Sequence, residues 1–333
     1  QRAPVLDAVS GLTPVVSLRQ GQGRPGPRAT VGTLTQIDRD LRLLWSRIGA
    51  VAGEATTLTA AHFSANHALG ACADCAGAGV QLRCDPSLLI SHPERPLADG
   101  AMAGSKPGAF FGESAGQYIA TLRVAADALG LDLSGPASGL SPEAMRLALF
   151  GAGDEIFDVT WSYARGQRSG THSFRGPWVG LCALVETESK IRAKRKRAAE
   201  WSAPLAPTAC PGCAGERLTW EARRVTVAGR RLPEVAAEPL DRLARSLAEM
   251  ALGPARQPVL DAIRPGLLRR LATLADLGLG HLTASRPSAS LSRGELQRLR
   301  LAGVLVSDLR QLTLVLDEPG AGLDPTSLAH VAG

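Results

Sequence analysis

Apolar residues in this chain follow two patterns, short β-rich runs near both ends and helical spacing between them. Pro14 to Leu18 places two valines and a leucine in five residues, which makes it a strand candidate. A Gly/Pro/Arg loop follows from Gly21 to Arg28. From Thr33 to Ile48, the residues Leu34, Ile37, Leu41, Leu44 and Trp45 recur at three- and four-residue steps, so one amphipathic helix is expected. Residues 50 to 70 are Ala/Thr-rich and poorly patterned, and Pro86 to Pro107 is rich in proline. Helix is expected over 115 to 150, a strand over Glu155 to Tyr163, a strongly basic helix over Val185 to Trp201, and apolar helices over 238 to 277. Leu312 to Leu316 reads as a short buried strand.

The tail after residue 290 carries recognisable chemistry. In LSRGELQRLRLA (Leu291 to Ala302), Ser292 and Glu295 form an S-x-x-E capping box. It opens a helix with Leu296 and Leu299 on one face. With Gly294 in the first turn, the backbone N–H groups and the positive dipole end suit a phosphate. The strand in LTLVLDEPGAGLDP ends in Asp317 and Glu318. Carboxyl ends of strands are where ligands bind in open α/β sheets. Asp317 is placed to hold Mg2+ through water, and Glu318 to polarise an attacking water. Singly, these pieces read as a capped helix and a core strand that happens to end in Asp-Glu. In this order, with Pro319, Gly322 and Asp324 following, they resemble the signature helix and Walker B strand of an ABC-type ATPase. No GxxxxGK[ST] loop occurs in the 333 residues. The expected fold is therefore α/β, a partial ABC-type ATPase core with a helical signature domain and an inserted zinc-binding module. Residues 1–50 are assigned to the nucleotide-binding core, 51–250 to the signature and insert domain, and 251–333 to the signature helix, Walker B strand and D-loop.

Two further patterns bear on function. CADCAG (Cys72, Cys75) and CPGCAG (Cys210, Cys213) repeat C-x-x-C-x-G, and four thiolates closing a tetrahedron would make a structural Zn2+ site. The pairs lie 134 residues apart, further than in an ordinary zinc ribbon. A redox C-x-x-C is the rival reading, and the two knuckle-like copies count against it. Cys84 and Cys182 read as plain small side chains, and the histidines, His62 and His67 included, show no ligand or catalytic spacing. Lys190, Arg192, Lys194, Arg195, Lys196 and Arg197 put six positive charges in eight residues. This run is either a solvated helix or a contact for the DNA phosphate backbone.

Composition narrows the class. With 45% apolar residues the chain supports real cores, and its net charge of +6 permits a nucleic-acid partner. No apolar run reaches membrane-spanning length, and the cysteine usage suits a reducing compartment, so a cytoplasmic location is expected.

Collinear blocks through most of the chain are similar to the UvrA family, the damage-recognition ABC ATPases of bacterial nucleotide excision repair. They include VSGLTPVVSLRQ (Val9 to Gln20), PRATVGTLTQIDRDLRLLWSRIG (Pro27 to Gly49), HFSANHALGACADCAGAGV (His62 to Val80), CPGCAGERLTWEARRVTVAGRRLPEV (Cys210 to Val235) and LADLGLGHLTASRPSASLSRGELQRLRLA (Leu274 to Ala302). The long gap between the C-x-x-C pairs resembles the family's first ABC half. The resemblance implies that Gln20 is the Q-loop glutamine and that Ser292, Arg293, Gly294 and Glu295 face ATP held by an opposing Walker A. It also implies that Asp317 and Glu318 are the Walker B acid and catalytic carboxylate, with Asp324 in the D-loop. Cys72, Cys75, Cys210 and Cys213 would share one zinc ion. Double-stranded DNA is the implied partner, and a homodimer the implied assembly.

Three departures qualify that picture. The signature reads Ser292-Arg293-Gly294 where the family has Ser-Gly-Gly; Arg293 either crowds the phosphate or pairs with it. The D-loop reads GLDP rather than GLH. Only about a dozen residues separate Gly49 from His62, where the family carries a UvrB-binding domain, so a UvrB-like partner is not expected to dock on this half. The alternative function is a non-catalytic, zinc-stapled DNA-binding or interaction module without its own ATP site.

Overall fold

The computed structural model describes residues 15–18, 25–26, 28–165, 168–305 and 313–316. The chain divides into two compact units, one of Gln1–Gly79 with Cys210–Gly333 and the other of Val80–Ala209.

In the first unit, the Ile37–Ile48 helix buries Ile37, Leu41, Leu44, Trp45 and Ile48, the stripe its spacing predicts. One core joins these residues to Leu243 and Leu247 of the Leu240–Glu249 helix and to Leu267, Leu271 and Leu274 of the Gln257–Asp276 helix. Leu299 and Ala302 of the Arg293–Leu305 helix complete it. Each leucine removed from water contributes about 2 kcal/mol. Arg270 and Asp40, both largely buried, meet at 3.2 Å within this unit.

The helix expected from Thr33 onward is broken in two. A short helix, Val31–Leu34, ends before Ile37, and Gln36 between them has φ 63, in the left-handed region. Threonine side chains cause the break by bonding to nearby backbone. Thr33 Oγ1 accepts from Thr30 N at 2.8 Å, Thr30 Oγ1 accepts from Thr33 N at 3.2 Å, and Thr35 Oγ1 donates to Val31 O at 2.9 Å. The expected 238–277 helices are likewise two, separated by a segment containing Gly253 and Pro254.

The two end strands pair with each other. Val15–Leu18 runs parallel to Thr313–Leu316, in register from Val15 against Thr313 to Leu18 against Leu316. Parallel strands require a crossover connection, and here nearly the whole chain supplies it. Residues 50 to 70, unreadable from pattern, supply Ala50–Val51 and Glu54–Ala55 to a small antiparallel sheet with Thr226–Val227 and Arg230–Arg231. Two-residue strands are too short to show alternation.

In the second unit, Val80–Cys84 pairs antiparallel with Leu205–Ala209. The core gathers Leu89, Phe111, Ile119, Leu122, Trp178, Leu181, Val185 and Trp201. The 115–150 segment forms two helices, Gln117–Ala128 and Pro142–Phe150, the first ending just before Gly130 at φ 66. Ile156–Arg165 and Arg168–Pro177 make a long antiparallel hairpin. The basic helix also stops early. It spans Leu181–Arg192, and a separate turn of helix covers Ala198–Trp201 after Arg197 at φ 69. Like charges packed along a helix repel, and the break lets Trp201 fold back against Arg192. No described helix is long and apolar enough to cross a membrane.

Candidate metal centre and nucleic-acid interface

Two tight turns build the cysteine cluster. Ala76 and Ala214, each following a second cysteine, have φ 48 and φ 50, and Gly77 and Gly215 follow at φ 76 and φ 86. Both C-x-x-C-x-G copies therefore fold the same way, with the backbone turning under the sulfurs. Gly77 is required there, because a Cβ would lie 1.9 Å from Ala65 O. The turns bring the Sγ atoms of Cys72, Cys75, Cys210 and Cys213 within 4.8 Å of one another. Cys75 Sγ and Cys213 Sγ are 3.7 Å apart. Four thiolates around Zn2+ at about 2.3 Å require edges of roughly 3.8 Å, so the cluster has the size of a tetrahedral shell. Backbone N–H groups of Gly79 and Arg217 donate to Cys75 Sγ at 3.2 Å and Cys213 Sγ at 3.4 Å, as suits sulfurs carrying negative charge.

Protonation within the cluster is uneven. Burial pushes Cys72 up and Cys213 up to about 12. Burial also acts against the Cys75 thiolate, but the Gly79 N–H and the neighbouring thiols outweigh it and hold Cys75 below its usual value.

Sequence reading missed the supports of this cluster. Arg217 reaches from the second knuckle to the first, donating through Nε to Gly77 O at 2.8 Å and through Nη2 to Arg28 O at 2.9 Å. Arg223 Nη2 donates to Gly212 O at 2.9 Å. Charged residues after a C-x-x-C carry no signal that distinguishes such struts from solvated side chains.

At the other predicted site, Ser292 and Glu295 close the expected capping box. Ser292 N donates to Glu295 Oε2 at 2.7 Å, and Glu295 N donates to Ser292 Oγ at 3.2 Å. Two residues that the sequence did not single out also hold Glu295. His281 Nε2 lies 3.3 Å from its Oε1, and Arg286 Nη1 3.6 Å away. Ser292 and Arg293 are exposed, and nothing stands within 4 Å of where a Gly294 Cβ would be. The helix start is thus open to a ligand. The Ser292 N–H holds Glu295 below the usual glutamate range. A depressed carboxylate contributes stability that is complete above its unfolded pKa and lost as pH falls through its folded value. Glu295→Gln is expected to lower stability by about 1 kcal/mol at neutral pH. That deficit should shrink as pH falls below the ordinary glutamate value of 4.5, read from urea unfolding midpoints.

The basic run is not uniform. Arg192 lies 4.0 Å from the Trp201 ring centroid and pairs with Glu188, and Arg197 pairs with Glu200. Lys190, Lys194, Arg195 and Lys196 are exposed, and their side chains have no ion-pair partner among the described residues. In the same unit, Cys84 and Cys182 are neighbours, not isolated. The hydrogen bond between their thiols pushes Cys84 up and draws Cys182 down. Gln20, Asp317, Glu318 and Asp324 lie outside the described residues.

An open capped helix start, a parallel pair of end strands and a four-cysteine cluster mark an α/β protein with a candidate metal centre. The model of the UvrA DNA-binding domain family matches residues 85–193, within the second unit. UvrABC system protein A of Paucimonas lemoignei is 31% identical over 345 residues, covering 97% of this chain and 48% of that protein. The protein of the same name from Neisseria meningitidis serogroup A is 34% identical over 264 residues, covering 78% of this chain and 27% of the relative. The crystal structure of UvrA2 from Deinococcus radiodurans superposes with a TM-score of 0.63 at 30% identity, covering 99% of this chain and 42% of that one. The chain thus spans about half the length of the first of these relatives and less of the others. It is UvrA-like, similar in sequence and fold to part of the UvrA proteins.

Proposed function

We propose that this chain is part of a UvrA-like DNA-binding ATPase of nucleotide excision repair. Its second unit binds double-stranded DNA, and its first contributes signature and Walker B elements to ATP sites. The observation that carries this reading is the UvrA DNA-binding domain match over 85–193, which reaches two of the six basic residues, Lys190 and Arg192. Lys194, Arg195, Lys196 and Arg197 continue the run directly after it, all of them exposed. Phosphate contacts of this kind give affinity that falls steeply with salt.

ATP would lie against the exposed start of the Arg293–Leu305 helix, where Ser292, Gly294 and Glu295 present the cap and Arg293 offers a guanidinium to phosphate. Gln20, Asp317, Glu318 and Asp324 keep the roles that the family resemblance gives them, with Mg2+ at Asp317. The nucleotide's phosphates are otherwise cradled by a Walker A loop, which is absent from these 333 residues. An opposing segment would supply it, which favours a dimer. Cys72, Cys75, Cys210 and Cys213 hold one Zn2+, which would pin together two segments far apart in sequence.

Two measurements test this reading. The purified chain is expected to bind duplex DNA with strongly salt-dependent affinity. It is also expected to show no ATP turnover above background, and Glu318→Gln should leave that background unchanged. Salt-insensitive or absent DNA binding overturns the first part, and robust hydrolysis dependent on Glu318 overturns the second.

A further inference from the structure

The Gln117–Ala128 helix of the second unit carries Ile119, Leu122 and Ala126 on one face, all nearly closed to solvent. The chain then turns back beside that face. Gly130 at φ 66 closes the helix, its N–H donating to Asp127 O at 3.1 Å, while Leu131 N donates to Ala126 O at 2.8 Å. Asp132 fixes the next bend by accepting from Ser134 N at 2.8 Å. A turn in which Asp99 N donates to Pro96 O at 2.9 Å supplies another wall. Between these segments lies a cavity of about 750 Å³.

The cavity has an apolar lining and a charged rim. Leu97, Ile119, Leu122, Ala126, Leu131 and Leu133 form the lining. Asp99, Asp127 and Asp132 stand at the rim against one cation, Arg123, and all four are exposed. The carboxylates of Asp99 and Asp127 have no ion pair or hydrogen bond among the described residues. In a chain of net charge +6, this margin is a local reversal of sign. A concave, mostly apolar space of this volume is the size that encloses a drug-sized molecule. Apolar area removed from water supplies affinity, and the rim selects the sign of charge. The matching occupant has an apolar body and a positive charge.

We propose that this cavity binds a small organic cation with an apolar body. Binding here requires neither DNA nor ATP, and the same rim would repel a polyanion.

The test titrates the full chain, free of DNA and nucleotide, into two dyes with the same tricyclic core, cationic rhodamine 6G and anionic fluorescein. Fluorescence anisotropy is expected to show saturable binding of rhodamine 6G, with fluorescein at least about tenfold weaker. An exposed charge pair contributes up to about fivefold in affinity, so Asp99→Asn combined with Asp127→Asn should weaken rhodamine 6G roughly tenfold and leave fluorescein no weaker. Ala98→Trp, which puts an indole into the cavity from its half-buried wall, should abolish binding of both dyes. Circular dichroism melting checks that each variant is folded. The double Asn variant replaces only exposed carboxylates, so it decides alone if Ala98→Trp does not fold. Absence of saturable rhodamine 6G binding, equal affinity for the two dyes, or unchanged affinity in the folded double Asn variant would each overturn the proposal.

Discussion

Cys210→Ser is expected to abolish Zn2+ binding and lower the melting temperature of the protein by roughly 10 °C. The wild type should carry about one Zn2+ per chain, measured by atomic emission after exhaustive dialysis. The size of the effect follows from the architecture. Cys210 is fully buried, and its Sγ belongs to a cluster whose four sulfurs lie within 4.8 Å. With one thiolate gone, the metal loses a quarter of its shell and the other three sulfurs lose the charge that compensates them. A cost of about 4 kcal/mol is at the upper end for single substitutions and fits loss of a metal. In a unit of this size each kcal/mol moves the midpoint by about 2–4 °C. Cys72→Ser should behave alike, because on the zinc reading the two knuckles would share one ion. Cys84→Ser removes a thiol from the other unit and should leave the zinc content at one. A folded, metal-free wild type of unchanged stability would remove the zinc assignment.

Replacing Lys190, Lys194, Arg195 and Lys196 together by alanine is expected to flatten the salt dependence of DNA binding. Each phosphate-contacting cation contributes about 0.9 to the slope of log K against log salt, so the quadruple variant should lose roughly 3 to 4. Affinity should fall alike for all sequences, since phosphate contacts carry no base information. Arg192→Ala is the contrasting case. Its guanidinium stacks on Trp201 and pairs with Glu188, so the variant should lose about 1 kcal/mol of stability while the slope stays near that of wild type. Fluorescence anisotropy titrations at several salt concentrations read both. An unchanged slope in the quadruple variant would show that the exposed run is only a solvated surface.

The sequence was most legible where function depends on local backbone. The S-x-x-E box predicts the reciprocal bonds between Ser292 and Glu295, because a capping box is complete within four residues. The helix spacing of Ile37, Leu41, Leu44 and Trp45 predicts the buried stripe, since periodicity reports directly which face leaves water. It misplaced the start of that helix, because threonine hydroxyls competing for backbone bonds leave no trace in an apolar pattern. It also ran the basic helix through to Trp201, where the helix ends at Arg192 and a left-handed residue, Arg197, precedes the next turn. Charge runs state how much positive charge is present, not which cations are already paired. His281, Arg286, Arg217 and Arg223 were invisible as supports for the same reason. Their partners lie outside the short window in which a pattern can be read.

By itself, the sequence determined which short segments could carry chemistry: two C-x-x-C-x-G turns, a capped helix start and two short apolar strands. Each is specified by interactions within a few residues, such as a cap, a positive φ or a side-chain period. Only the tertiary structure decided what these segments do together. It brought two cysteine pairs separated by 134 residues of chain into one cluster, paired the strands from the two ends in parallel, and sorted six neighbouring cations into two paired with glutamates and four with no ion-pair partner among the described residues. Those outcomes depend on the burial of apolar faces across the whole chain, which no local window contains.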